Sequence, residues 1–300
     1  MVDYVSVGLE SAYGGGSASL VPILATDFNV TVNRGLEASP VVSSRMETQA
    51  VYTKLGISGT LTASLRPVML RHLFTMLFGT CTEAGDRYTF TLGAPKSGEF
   101  RVNASGVAAK FLGVGLVKMS LGFTATKLPT VSTEWVAREY QYVAPTDQTY
   151  DSEDPALPYL CTLTMTRGAV EYVKTNIKNF TIDLTRGLDG DYFVVGDYRL
   201  FALVCNEPCK ISGSIDIGED PSEIASVLYG DPAGVDLSGG NVPDDVHVVM
   251  EIQKANASDK ATIEFDITYE SLAVGNSQGS RKRTLKFKSI DDQVSIVVMK

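Results

Sequence analysis

Histidine, cysteine and tryptophan are scarce in this 300-residue chain, with two, four and one copies. Only His72 and His247 offer an imidazole base, and neither stands near a nucleophile motif. Gly-x-Ser-x-Gly elbows, His-Glu-x-x-His pairs and Walker loops are absent, and Gly113 and Gly115 lack the third glycine of a dinucleotide fingerprint, so they read as strand or bulge positions. No catalytic residue and no cofactor is expected. Cys205 and Cys209 have no second Cys/His pair to complete a tetrahedral zinc site, so no metal is expected either. The pair is open to two readings, free thiols in a reducing compartment or a local disulfide.

Long apolar runs are missing too. The stretch from Val68 to Phe78 is interrupted by Arg71 and His72 and is too short to span a bilayer, so no membrane insertion is expected. The start, Met1 to Val5, lacks a basic residue followed by an apolar run, which predicts synthesis in a cytoplasm without a secretory signal. Basic residues are outnumbered, 26 against 35 acids, for a formal charge of -9. Phosphate neutralisation needs the opposite excess, which argues against nucleic-acid binding. In a conduit the same repulsion keeps a polyanion from adhering.

What the chain does have is 44% apolar residues, enough to bury one large or two medium cores, and an internal repeat. Phe28 to Glu37 matches Phe180 to Asp189 in its Phe, its alternation and its Arg34-Gly35-Leu36 against Arg186-Gly187-Leu188. In the same order follow Ile57-Ser58-Gly59-Thr60-Leu61 against Ile211-Ser212-Gly213-Ser214-Ile215, then Leu73 to Gly79 against Ile224 to Gly230. Three colinear matches at nearly constant offset point to duplication.

The first block alternates Phe28, Val30 and Val32 with polar residues, as Phe180, Ile182 and Leu184 do, which predicts strands with one buried face. The third block predicts a short helix in each half: Pro67 and Pro221 suit a first turn, Asp220 and Glu223 can form a capping box, and Gly79 and Gly230 suit the stop. Val117 to Phe123, Ile263 to Tyr269, and Leu285 with Phe287 add further alternating strands. The expected fold class is mainly β: two tandem β-sandwich or half-barrel units, 1–143 and 159–300, each with one flanking short helix, joined by an acidic, proline-bearing linker over 144–158. Extended or hairpin arms are expected near 37–54 and 189–210. Tyr13 to Ser17 reads as a flexible turn, and Arg281-Lys282-Arg283 as a solvated hairpin turn.

The motif Gly8-Leu9-Glu10-Ser11-Ala12-Tyr13-Gly14, the repeated strand and turn, the Ile-Ser-Gly strand and the helix to Gly79 resemble the two-repeat tail tube (major tail) proteins of long-tailed bacteriophages and related tailed viruses. Departures are Gly15-Gly16-Ser17 in place of a more usual Gly-Thr, and the acidic turn at Gly190-Asp191. The resemblance implies a structural virion protein, located in the tail, that self-assembles edge to edge into stacked rings around a DNA ejection channel. It implies itself as main partner, in a trimer ring with pseudo-sixfold symmetry or alternatively a hexamer. It further implies tail tip or baseplate, tail terminator and tape-measure proteins as partners, with transient passage of double-stranded DNA. The repeat and assembly positions are then Phe28, Arg34, Gly35, Leu36, Ile57 and Gly59 with Phe180, Arg186, Gly187, Leu188, Ile211 and Gly213. Asp183, Asp216, Glu264 and Asp266, on polar strand faces, are the candidate acidic lumen positions. Two alternatives stand beside this one: a carbohydrate-binding or adhesion β-module using Trp135 with Tyr140 and Tyr142, and the inner tube of a contractile injection apparatus.

Overall fold

The computed structural model describes residues 4–17, 19–39, 49–85, 87–104, 107–145, 155–167, 170–174, 179–195, 197–217, 246–253, 260–277, 280–289 and 295–299. Strands dominate them. The first half contains β1 (Tyr4–Leu9), β2 (Val21–Ile23), β3 (Ala25–Ser39), β4 (Gln49–Ser64), α1 (Pro67–Phe78), β5 (Gly79–Ala84), β6 (Arg87–Leu92), β7 (Gly98–Ala104), β8 (Val107–Thr124), β9 (Lys127–Ala137) and β10 (Glu139–Val143). After a short 3-10 turn (Pro158–Leu160) come β11 (Thr162–Arg167), β12 (Val170–Lys174), β13 (Asn179–Thr185), β14 (Lys210–Ile217), β15 (Val246–Gln253), β16 (Lys260–Ser277), β17 (Ser280–Ser289) and β18 (Ser295–Met299).

Every ladder between these strands is antiparallel, as expected for a chain rich in hairpins. One sheet runs β3-β4-β9-β8-β13-β14-β17-β16 without a break. A second layer runs β2-β1-β7 onto the N-terminal part of β8, with β10 on that strand's other side. In the second half β12-β11-β15 reach the N-terminal part of β16, whose other side carries β18 and then the β6–β5 hairpin. The long strands β8 and β16 thus pass from one layer to the other. Each kinks at a bulge, between Leu116 and Lys118 in β8 and between Tyr269 and Ser271 in β16.

Alternation dictates which face is buried. Phe180, Ile182 and Leu184 are at most 3% exposed, and Met119, Leu121 and Val131 line the same interior, while Thr181, Asp183 and Thr185 look outward. Helix α1 begins at Pro67, where a missing N–H costs nothing, and stops at Gly79, whose φ of 87° lets its N–H reach the Thr75 carbonyl. Leu70, Leu73, Phe74, Leu77 and Phe78 are fully buried beneath it. Full burial of such side chains stabilises by roughly 1.5–3 kcal/mol each, which makes this helix a main anchor of the core. The second helix, expected near 221–230, lies outside the described residues.

Three expectations change. The glycines after Tyr13 are fixed, not loose: the Glu10 carboxylate accepts the N–H groups of Gly14 (2.9 Å), Gly16 (3.2 Å) and Gly113 (3.0 Å). Glu99, 1% exposed, accepts the Ser17 N–H at 2.6 Å and pairs with Arg101. Arg281, Lys282 and Arg283 belong to β17 and pair with Asn276, Gly275 and Val274, so they lie in a strand and not in a turn. Trp135 is 1% exposed and packs between Phe28, Phe100 and Phe111, which removes it from any surface groove. Where the linker returns to view it is tied down. Ala156 is fully buried and donates to the Leu65 carbonyl, and Leu157 donates to that of Gln253.

Candidate functional site: an open sheet and its docked arm

The polar face of the eight-strand sheet mixes hydroxyl and charged side chains. One row across it reads Asp27, Thr62, Ser132, Ser120, Asp183, Ser212, Lys288, Thr268, strand by strand. The next reads Asn29, Thr60, Glu134, Lys118, Thr185, Lys210. Cross-strand neighbours on this face bond to each other: Thr62 with Ser132 at 3.2 Å, and, in a further row, Thr181 with Ser214 at 2.9 Å. Asp183 accepts the Ser120 hydroxyl and lies 3.2 Å from the Lys118 ammonium. Hydroxyls alternate on this face with charges of both signs, Asp27, Asp183 and Glu134 beside Lys118, Lys210 and Lys288, so it is polar throughout.

The four acidic candidates are not one group. Asp183 and Asp216 stand on this face, but Asp216 is only 6% exposed and accepts from Asn179 Nδ2 at 2.8 Å. Glu264 and Asp266 stand on the part of β16 that pairs with β15, and Asp266 lies 2.8 Å from Nδ1 of His247.

The repeat motif residues take separate places. Phe28 stacks on Trp135 with centroids 5.6 Å apart, over Gly59, where a Cβ would come within 2.4 Å of the indole. Gly213 likewise opposes Phe287 in register, as Gly59 opposes Trp135. Gly187 has φ +61°, the left-handed region glycine tolerates, whereas Gly35 stands beside a register shift in the β3–β4 ladder, where Thr53 is the extra residue. Arg186, 7% exposed, donates to the Gly93 carbonyl and approaches Cys205 Sγ, while its counterpart Arg34 is exposed and donates to the Tyr140 hydroxyl at 3.1 Å. Ile57, Leu188 and Ile211 are core residues, and Leu36 pairs with Tyr52. All four cysteines are free thiols in this structure, Cys205 and Cys209 among them. Burial pushes the Cys161 thiol up to about 11.

Both arms exist but differ. The first continues the β3–β4 ladder as far as Ser39 opposite Gln49. The second folds as an irregular hairpin, Asn206 donating to Gly187, Asp189 to Val204, Phe201 to Tyr192 and Asp197 to Val194. It lies against the first half of the chain. Leu55 donates to the Tyr198 carbonyl at 2.7 Å, Lys54 pairs with Asp191, Arg138 with Asp197, and Arg199 with both Asp197 and Glu139. The Arg199 N–H and guanidinium hold the Asp197 carboxyl below its usual range. Burial beside these charges raises the Tyr13 phenol, whose hydroxyl donates to Leu200. The arm's contacts with the first half are not legible in the sequence, because they join residues 59 to 187 positions apart. The arm's outer side exposes Tyr192, Val195, Tyr198 and Phe201.

The described strands thus form an all-antiparallel sheet system with a polar outer face. The chain belongs to the phage tail tube protein family, whose description matches residues 4–273. No curated protein matches it. The family gives it a structural role in the tail tube, as a non-enzymatic component of the virion tail that associates with itself and with other tail components. No helix among the described residues is long and apolar enough to cross a membrane.

Proposed function

We propose that this chain assembles by itself into stacked rings that form the hollow tail tube, and that viral DNA passes to the host through its bore. The observation that carries this is the uninterrupted eight-strand sheet, whose strands β4, β9, β8, β13 and β14 bury their apolar positions on one face and carry hydroxyl and charged side chains on the other. Such a sheet has a dry outside to pack on and a wet inside to enclose.

The chain reads as two copies of one unit, 1–143 and 159–300. Strands β3, β4, β9 and β8 follow one another in the order that β13, β14, β17 and β16 repeat. The layer-crossing bulge recurs 153 positions on, as Leu116/Lys118 and Tyr269/Ser271. Three chains would then give a wall of six similar units, a trimer ring with pseudo-sixfold symmetry. At a strand spacing of about 4.8 Å, some 24 strands make a girth of about 115 Å, and tilt widens the bore to the order of 40 Å. That admits hydrated duplex DNA.

Asp183 and Asp216 are the acids assigned to the channel wall. Hydroxyls surround them, Lys118 is paired with Asp183, and the other lysines of these rows, Lys210 and Lys288, stand among acids and hydroxyls, so phosphates meet no block of one charge and no stacking platform and DNA slides without being held. Tail tip, terminator and tape-measure proteins would meet the ends and interior of this tube. Sedimentation velocity over a concentration series tests the assembly. A jump from single chains to large multimers is expected, and chains that remain single at every concentration would refute it.

A further inference from the structure

The seam between the two halves is a specimen of the seam between chains, a deduction that rests on the tube reading. Inside the chain, β8 of the first half pairs with β13 of the second, antiparallel, from Lys118 opposite Thr185 to Thr124 opposite Asn179. The strand that corresponds to β8 is β16, and the strand that corresponds to β13 is β3. Among the described residues, neither the outer edge of β3 nor the edge of β16 beyond Ile267 that faces away from β17 has a partner strand.

The two kinds of edge differ in burial. Ile182 and Leu184 of β13 are fully buried, while Val30 and Val32, at the corresponding places in β3, are 36% and 39% exposed. They differ from protected edges in composition too. Natural sheet edges are shielded from self-pairing by lysine, proline or inward charges. Residues 28–33 (Phe-Asn-Val-Thr-Val-Asn) and 271–277 (Ser-Leu-Ala-Val-Gly-Asn-Ser) hold neither a charge nor a proline, in a chain that is 20% charged. Gly275 even stands where Gly122 stands in β8, and no like charges would meet.

We infer that the β16 edge of one copy pairs antiparallel with the β3 edge of the next, in the register copied from β8–β13. Offsets of 153 for β8 to β16 and 152 for β3 to β13 set the pairs: Asn33 opposite Ser271, Val32 opposite Leu272, Thr31 opposite Ala273, Val30 opposite Val274, Asn29 opposite Gly275. Apolar positions then fall opposite apolar ones, as Leu184 and Ile182 do opposite Met119 and Leu121. The occupant is a second copy of this chain, joined head to tail, which closes into a ring and never into a two-fold dimer.

Cysteine pairing in assembled protein tests the register. Directly opposed positions have Cβ atoms about 4.5–5.5 Å apart and diagonal ones about 7–8 Å, and a disulfide needs close to 4 Å. The doubly substituted chain Thr31→Cys with Ala273→Cys is expected to give an oxidised ladder of two and three linked chains on a non-reducing gel. Either single variant, which keeps the four native thiols, and the shifted pair Thr31→Cys with Gly275→Cys are expected to give none. Linkage in the shifted pair, or none in either pair within tubes that have formed, overturns the joint and leaves the tube reading standing. Wild-type chains that never assemble remove both. Independently, Val30→Asp is expected to keep the wild-type circular dichroism spectrum and raise the concentration needed for assembly at least tenfold. A folded variant that assembles like wild type overturns the joint.

Discussion

Phe180 of β13 lies directly opposite Phe123 of β8, with ring centroids 6.1 Å apart, so the two halves of the chain meet through an aromatic pair. Both rings are at least 92% buried. Phe180→Ala is expected to cost about 3–5 kcal/mol in urea unfolding, as for other buried aromatics. A double-mutant cycle with Phe123→Ala should show coupling of about 0.5–1.5 kcal/mol. Strict additivity would mean that the halves do not rely on this contact.

Gly59 has a role that sequence matching could mark but not explain. A Cβ there would meet the Asn29 carbonyl at 2.3 Å and the Trp135 ring at 2.4 Å. Gly59→Ala should therefore destabilise by about 1–3 kcal/mol through overpacking. Gly56→Ala, where the nearest atom is 3.7 Å away, should stay within about 0.5 kcal/mol in the same thermal or urea assay.

Asp197 gives the arm a pH dependence. Its carboxyl is held low by the Arg199 N–H and guanidinium, so the charged form is the one the fold favours. Its contribution is complete above the unfolded value of about 3.9 and is lost as pH falls through the lower folded value. Asp197→Asn should lower the melting temperature at pH 7, and the gap to wild type should close towards pH 2. A gap that stays constant over that range would contradict the network.

Asp183→Asn leaves Lys118 without its counter-charge on the proposed channel wall. The exposed pair contributes at most about 1 kcal/mol, so tubes should form with little change in stability. Phage carrying the variant should release DNA several-fold more slowly in an ejection assay at low salt, with recovery at high salt as the lysine is screened. Loss of tubes instead would contradict placement in the wall.

Alternation made β3, β8, β13 and the first half of β16 legible in the sequence, because a strand buried on one face writes its period into the chain. Pro67 and Gly79 bounded the helix for equally local reasons. What stayed hidden was long-range. Glu10 fixes the glycines four and six places on and Gly113 far away, yet in sequence it is one acid among 35. Trp135 looked available because Thr133 and Glu134 precede it, although alternation also places it on the same face as Val131 and Ala137, which are buried. Charge alone makes the basic triplet read as a turn, whereas strand pairing with residues 274–276 decides its place.

The most direct measurement is electron microscopy of the purified chain above its assembly concentration, with end-on views averaged. The account predicts hollow tubes or stacked rings of three chains, whose walls show six similar lobes around a bore on the order of 40 Å. Solid particles, or rings whose wall is not built from the eight-strand sheet, would contradict it.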